Sequence, residues 1–329
     1  MSTDAPHRTV LVTGAAGYVG GALTRRLLAD EATNVIGVDW CRMAHGDQGV
    51  RELIGHPRLE FVQADVRDLD TLRPLLSRSD AVVHLAAIVG DPAGKRDPDL
   101  TRSINIDAST NLIDASGEAD VDHLVFVSTC SNYGVSDTST LVTEDAELNP
   151  VSLYAETKVA VERHLAEQAN GGMGYTALRL ATVYGVAPRM RFDLTVNQFT
   201  IEAYTEGVLS IFGEQFWRPY AHVDDIARAI VMVLGSPEAS RNQTFNVGDS
   251  GENYTKRMMY ELLKERLPEL RAEWTTIDED PRSYKVSFER IHETLGYEVS
   301  KRVPDGMDEI LGRARNGEYP DPAADRFRN

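Results

Sequence analysis

Cysteine is nearly absent from this 329-residue chain: Cys41 and Cys130 stand in unrelated contexts, without C-x-x-C spacing. That excludes a disulfide framework and a thiolate metal knuckle. The eight histidines show neither H-E-x-x-H nor paired spacing, so no metal is expected. No run approaches the roughly 18 apolar residues of a membrane-spanning helix. No G-x-S-x-G elbow occurs and neither cysteine has a base partner in sequence, which argues against hydrolase chemistry. Internal repeats and low-complexity tracts are also missing. Positive charge is in short supply: 34 Lys and Arg face 51 Asp and Glu, a formal −17. That balance repels polyanions and weighs against nucleic acid as a partner, although a few local arginines can still hold a small anion. The opening stretch Met1–Arg8 is short and polar and leaves no room for a signal peptide, so a reduced, cytoplasmic setting is expected.

What is present is ordinary globular composition, 42% hydrophobic and 26% charged. Apolar runs at Thr9–Thr13, Val35–Asp39, Leu59–Gln63, Ala81–Leu85, His123–Ser128 and Tyr175–Leu180 predict buried strands. Helical patterns fall between them, clearest at Gly17–Ala29, Leu100–Ser116 and Val151–Ala169. This alternation predicts an α/β fold: a doubly wound parallel sheet over residues 1–180. Beyond Leu180 the pattern loosens. Val223–Leu234, Tyr254–Arg266 and Pro304–Arg315 predict helices and Thr244–Val247 a strand. The expectation is a smaller C-terminal substrate lobe over 181–329, with segments near 222–248 returning to the sheet. The polar tail from Pro320 is expected to fray.

Ligands of such sheets bind beyond the carboxyl ends of the strands. Val10–Thr13 runs into Gly14-Ala-Ala-Gly17-Tyr18-Val19-Gly20, a strand, a glycine turn and a helix start. Glycine suits a tight turn and a close approach to pyrophosphate, and the helix start offers unpaired N–H groups and a positive dipole end. Asp39 ends the second strand, where a ribose-binding acid belongs in a Rossmann unit. A carboxylate there favours NAD over NADP; the neighbouring Arg42 softens that preference. Asp65-Val66 follows the third strand and either borders the adenine or is an ordinary loop pair.

Tyr154 and Lys158 lie four apart on a predicted helix and so share a face. An ammonium beside a phenol favours the phenolate and makes it a usable acid–base group. Taken alone, the pair also describes an amphipathic helix with incidental polar residues. Context favours chemistry: Val125-Phe-Val-Ser128-Thr129 is a strand ending in two hydroxyls. His84-Leu85-Ala86-Ala87 offers a small apolar floor for a nicotinamide. The order of these motifs resembles the extended short-chain dehydrogenase/reductase family, in its nucleotide-sugar epimerase/dehydratase branch. Asn105, Ser131-Asn-Tyr133-Gly134, Arg179-x-x-x-Val183-Tyr184-Gly185, Arg218-Pro-Tyr-x-His222-Val-Asp224, Asn246-Val-Gly248 and Arg282-Ser-Tyr284 extend the resemblance over nearly the whole chain.

The resemblance implies NAD as cofactor, Tyr154 as the proton-transferring group, Lys158 as its electrostatic partner and Thr129 as the orienting hydroxyl. It implies a cofactor-site asparagine at Asn105, which shapes a helix near the lysine. It also implies a nucleotide-diphosphate sugar held by Arg218 and Arg282, with Asn197 as a nearby polar contact, and a homodimer. The 4,6-dehydratases of the branch carry an Asp-Glu pair directly after the threonine. Here Cys130 and Ser131 occupy those places, which disfavours water elimination. Both are candidate substrate contacts; for Cys130, a small buried filler is the other reading. Epimerisation, with C4 the favoured carbon, or reduction of a 4-keto-6-deoxysugar remains, and a non-catalytic dinucleotide sensor is the third alternative.

Overall fold

The computed structural model describes residues 8–44, 46–168, 172–275 and 283–329. The apolar runs become β1 (Arg8–Thr13), β2 (Thr33–Asp39), β3 (Leu59–Gln63), β4 (Ala81–His84), β5 (His123–Thr129) and β6 (Gly174–Leu180). The second half adds β7 (Thr182–Tyr184), β8 (Val208–Phe212), β9 (Trp217–His222), β10 (Gln243–Val247), β11 (Asn253–Thr255) and β12 (Arg271–Thr275). Seven strands form one sheet in the order β10-β6-β5-β4-β1-β2-β3, and every pair in it is parallel. The chain winds outward from β1 to β3, then restarts at β4 and winds the other way. The switch point therefore lies between β1 and β4, where a crevice opens at the strand ends.

Strand alternation splits the core into two layers. Val10 and Val12 pack under helices Tyr18–Leu28 and Val223–Gly235. Leu11, between them, faces Leu72, Leu112, Val161 and Leu165 on the other side. β10 lies at the sheet edge, parallel to β6. Smaller sheets, β11-β9-β7 and the parallel pair β12-β8, carry the rest of the second half. No described helix is long and apolar enough to cross a membrane.

Two local expectations are corrected and one helix is added. The helix expected over Leu100–Ser116 is interrupted: Pro98–Arg102 is α-helical, Ser103–Ala108 widens to π-helical pitch, and Ser109–Glu118 resumes. The widened turn carries Asn105. The pattern also missed helix Leu69–Leu76, capped by the Asp68 side chain, because Pro74 sits inside it and breaks the expected signature. The tail does not fray. Phe327 is buried against Phe192, with ring centroids 5.1 Å apart, and its carbonyl accepts from Phe192 N at 2.8 Å. One aromatic side chain outweighs the polar residues around it.

Candidate active site

The glycine turn is built by close backbone contacts. Gly14 has φ +73°, and a Cβ there would lie 2.9 Å from Ala86 N. A Cβ on Gly20 would lie 2.0 Å from Gly14 O. Gly17 caps helix Tyr18–Leu28 with its own N–H bonded to Gly14 O at 3.0 Å. The first-turn N–H groups at Tyr18, Val19 and Gly20 belong to the set that an α-helix leaves without intrahelical partners. These features fit a dinucleotide pyrophosphate. The Tyr18 side chain is engaged elsewhere. It is buried, its hydroxyl donates to Gly185 O at 2.5 Å, and its contribution to a cofactor site is limited to backbone.

Asp39 sits at the end of β2, its carboxylate accepting from Ala16 N at 3.0 Å and Cys41 N at 2.9 Å. Burial pushes its pKa up, and those two donors oppose the shift. Arg42 lies over the Trp40 ring, 5.0 Å from its centroid. Asp65 is clamped by Arg67, with Nη2 to Oδ2 at 2.6 Å, and that pairing lowers its pKa. Val66 is buried in the core layer that holds Leu11 and Leu72.

Beyond β4, Leu85, Ala86 and Ala87 are half-buried. Their anchor is His84, whose Nδ1 lies 2.7 Å from Thr13 Oγ1 and whose Nε2 lies 2.8 Å from Ser109 Oγ. Burial, with Lys158 nearby, pushes its pKa down to about 3, so the ring is neutral. Asn105 is spent structurally. Its amide accepts from Ile88 N at 2.8 Å and donates to Ile88 O at 2.9 Å and Thr157 Oγ1 at 3.2 Å. It ties the floor loop to the helix Leu153–Glu167.

That helix is capped by the Ser152 hydroxyl, which accepts from Ala155 N at 3.3 Å. Tyr154 therefore sits in the first turn, where the positive dipole end favours a phenolate. One turn on, Lys158 is 4% exposed, its Nζ 6.0 Å from the Tyr154 ring centroid and 4.7 Å from that of Phe126. Its ammonium donates to Val127 O at 2.8 Å. Burial pushes its pKa down to about 7, against a weaker upward pull from Glu162.

The two hydroxyls ending β5 are separated by their partners. Ser128 donates to the buried Glu162 carboxylate and accepts from Asn132 Nδ2 at 3.1 Å. Thr129 Oγ1 accepts from Ser131 N at 3.1 Å, leaving its O–H as the donor. Thr129→Val is expected to lower turnover about tenfold or more through a lost hydrogen bond, and Ser128→Ala by no more than about threefold. Steady-state kinetics on the two variants check this, and the reverse ranking would reassign the orienting hydroxyl.

Two of the expected substrate contacts are buried and already partnered within the protein. Cys130 is buried among core residues and its thiol donates to Arg179 O at 3.2 Å. Desolvation raises its pKa well above the usual thiol range. Asn197 is fully buried: its Oδ1 accepts from Gly185 N at 2.9 Å and its Nδ2 donates to Tyr18 Oη at 3.1 Å and Arg191 O at 2.9 Å. It fastens the 185–191 loop to the phosphate-loop helix. Ser131 stays half-buried, its Oγ accepting from Tyr284 at 3.4 Å. Arg218 is half-buried, with its guanidinium 5.4 Å from the Tyr284 ring centroid and Nη1 on Trp217 O at 2.7 Å. Arg282 lies outside the described residues.

Sequence reasoning missed Glu162. It follows Lys158 by four residues and continues the Tyr154–Lys158 face, which was the available signal.

A doubly wound sheet, a glycine turn beside its switch point and a half-buried tyrosine one helical turn from a buried lysine define a dinucleotide-dependent enzyme of the extended short-chain dehydrogenase/reductase type. The chain belongs to the NAD dependent epimerase/dehydratase family, whose sequence model matches residues 10–248, and NAD is its cofactor. It is 33% identical over 247 residues to an uncharacterized UDP-glucose epimerase, YtcB, of Bacillus subtilis (strain 168), covering 73% of this chain and 76% of that one. UDP-glucuronic acid 4-epimerase from Bacillus cereus, solved with UDP-glucuronic acid and NAD, superposes with a TM-score of 0.83 at 26% identity, over 92% of this chain and 99% of that one. DesIV, a dTDP-glucose 4,6-dehydratase from Streptomyces venezuelae solved with NAD, gives 0.85 at 25% identity, over 96% and 100%.

Proposed function

We propose that the protein is a 4-epimerase of a nucleotide-diphosphate sugar, with UDP as the nucleotide of its epimerase relatives. Residues 1–180, with returns near 222–248, hold NAD, and 181–329 form the substrate lobe of a cytoplasmic enzyme. Bound NAD supplies a reversible hydride acceptor. Tyr154 takes the proton of the sugar C4 hydroxyl, Lys158 stabilises the phenolate and donates to the nicotinamide ribose hydroxyls, and Thr129 donates to the substrate oxygen. The keto sugar then turns its other face, and Tyr154 returns the proton. The observation that carries the reading is the pair of positions after Thr129. Cys130 faces the core and Ser131 holds only a hydroxyl. Neither can serve as the acid–base pair that water elimination needs. Incubation with UDP-glucose or UDP-galactose, followed by NMR at C4, tests it. Interconversion without added cofactor supports the proposal; NADPH consumption with a 4-keto sugar and no interconversion would replace it with a reductase.

Arg218 is assigned to the substrate diphosphate, because a planar guanidinium binds phosphate oxygens in pairs. Arg218→Ala is expected to raise KM for the sugar nucleotide by about tenfold to a hundredfold, the loss of a charged hydrogen bond, with NAD affinity unchanged. UDP binding equal to the parent's would remove Arg218 from the site. Assembly is assigned to the helices around Leu100–Ser116 and Val151–Ala169, pairing with their copies in a homodimer. Light scattering at micromolar concentration checks this, with a monomer mass the contrary result.

A further inference from the structure

The Tyr154–Lys158 face continues to a third polar residue that the proposed chemistry does not use. Glu162, one helical turn beyond Lys158, is 9% exposed and is gripped from three elements. Arg179 on β6 donates Nη2 to Oε2 at 2.7 Å and Nε to the same oxygen at 3.1 Å. Asn132 donates Nδ2 to Oε1 at 2.9 Å, and Ser128 donates to the same oxygen. Arg179 is fixed in turn, its Nη1 on Tyr133 Oη and on Glu144 O, both at 3.0 Å. A buried pair of this kind adds little stability against an apolar replacement, so its presence calls for another account.

The charges around Lys158 are few. Its own helix presents Tyr154 and Glu162, β5 presents the Phe126 ring and the Val127 carbonyl, β4 presents neutral His84, and β6 presents Arg179 through Glu162. Glu162 is the one anion in this set beside the reacting phenol, and its charge pulls on Lys158 from one helical turn away.

We infer that Glu162 is a positioning residue for the reaction: its charge holds the Lys158 ammonium in the site, and Arg179 sets how much of that charge Lys158 feels. This role rests on the one proposed for Lys158. The two halves of one ion pair should then have opposite effects. Removing Glu162 lowers the pH at which Lys158 loses its proton. Removing Arg179 leaves Glu162 uncompensated and raises it. A role limited to holding the fold would move both variants the same way.

The test is NAD affinity by calorimetry from pH 6 to 10. In the parent, affinity is expected to fall as Lys158 deprotonates and stops donating to the ribose hydroxyls. Glu162→Gln should move this limb down, and Arg179→Met should move it up, each by about one pH unit, as for a nearby charge in a buried site. Should a single variant not fold, Glu162→Gln/Arg179→Met is neutral and close in volume; its limb should lie below the parent's. Lys158→Met distinguishes a failure of the Lys158 role from a failure of the Glu162 role. A limb that survives in Lys158→Met overturns both. A limb lost in Lys158→Met but unmoved, or moved in one common direction, in the pair variants overturns the role of Glu162 alone.

Discussion

Tyr154→Phe is expected to reduce turnover by about 10²–10⁴-fold, the usual contribution of a positioned proton-transfer group. The change removes one oxygen and leaves the ring. The Ser152 cap, the Thr157 hydroxyl bond to the Tyr154 carbonyl at 2.7 Å, and the Lys158 bond to Val127 O do not depend on that oxygen. NAD affinity and the melting temperature should therefore stay within error of the parent. This combination separates chemistry from folding. A residual turnover above about a tenth of the parent would take the proton-transfer role away from Tyr154, since neutral His84 is locked between Thr13 and Ser109 and cannot replace it.

Gly20→Ala is expected to weaken NAD binding by at least about a hundredfold and to destabilise the fold by about 1–3 kcal/mol, the cost of overpacking a tight site. The new Cβ meets Gly14 O at 2.0 Å and Ala15 Cα at 2.9 Å, both of them backbone. Gly14 cannot yield, because it holds φ +73° and already lies close against Ala86. Relief must come from the helix start, which carries the N–H groups meant for pyrophosphate. Gly17→Ala is the internal control. Gly17 has an extended backbone that any residue adopts, and its Cβ would meet only Gly14 O at 3.1 Å. Calorimetric NAD titration and thermal melts of the two variants give the comparison. Gly20→Ala binding NAD within threefold of the parent would show that the turn tolerates displacement and is not shaped for close phosphate approach.

The features legible in the sequence were those in which neighbours along the chain act together. A run such as Val10–Thr13 followed by Gly14, Gly17 and Gly20 specifies strand, turn and helix start within a dozen residues, because each step depends on local backbone freedom and burial. Asp39 was legible for the same reason: it ends a strand whose neighbour is already known. That Tyr154 and Lys158 share a face followed from helical period, and the reading of that pair as chemistry came from the motifs around it. Composition also carried through to the site, since the absence of an Asp-Glu pair after Thr129 needs no coordinates.

Packing decided which way the described side chains face. Ser128 and Thr129 are adjacent on one strand and so point to opposite sides. Only the helix bearing Glu162, 34 residues further on, shows that Ser128 is consumed in a buried network. Cys130 and Asn197 matched positions that contact substrate in the resembling family, yet one thiol found Arg179 O and one amide found the 185–191 loop. The Glu162–Arg179 pair and the docking of Phe327 on Phe192 join residues 17 and 135 positions apart along the chain. Burial determines whether a polar group must find a partner, and burial is a property of the packed layers rather than of any segment. Local patterns along the chain were therefore enough for the strands, the glycine turn and the shared face of Tyr154 and Lys158. Which polar residues face the crevice, and which hold it in shape, depended on how the layers pack.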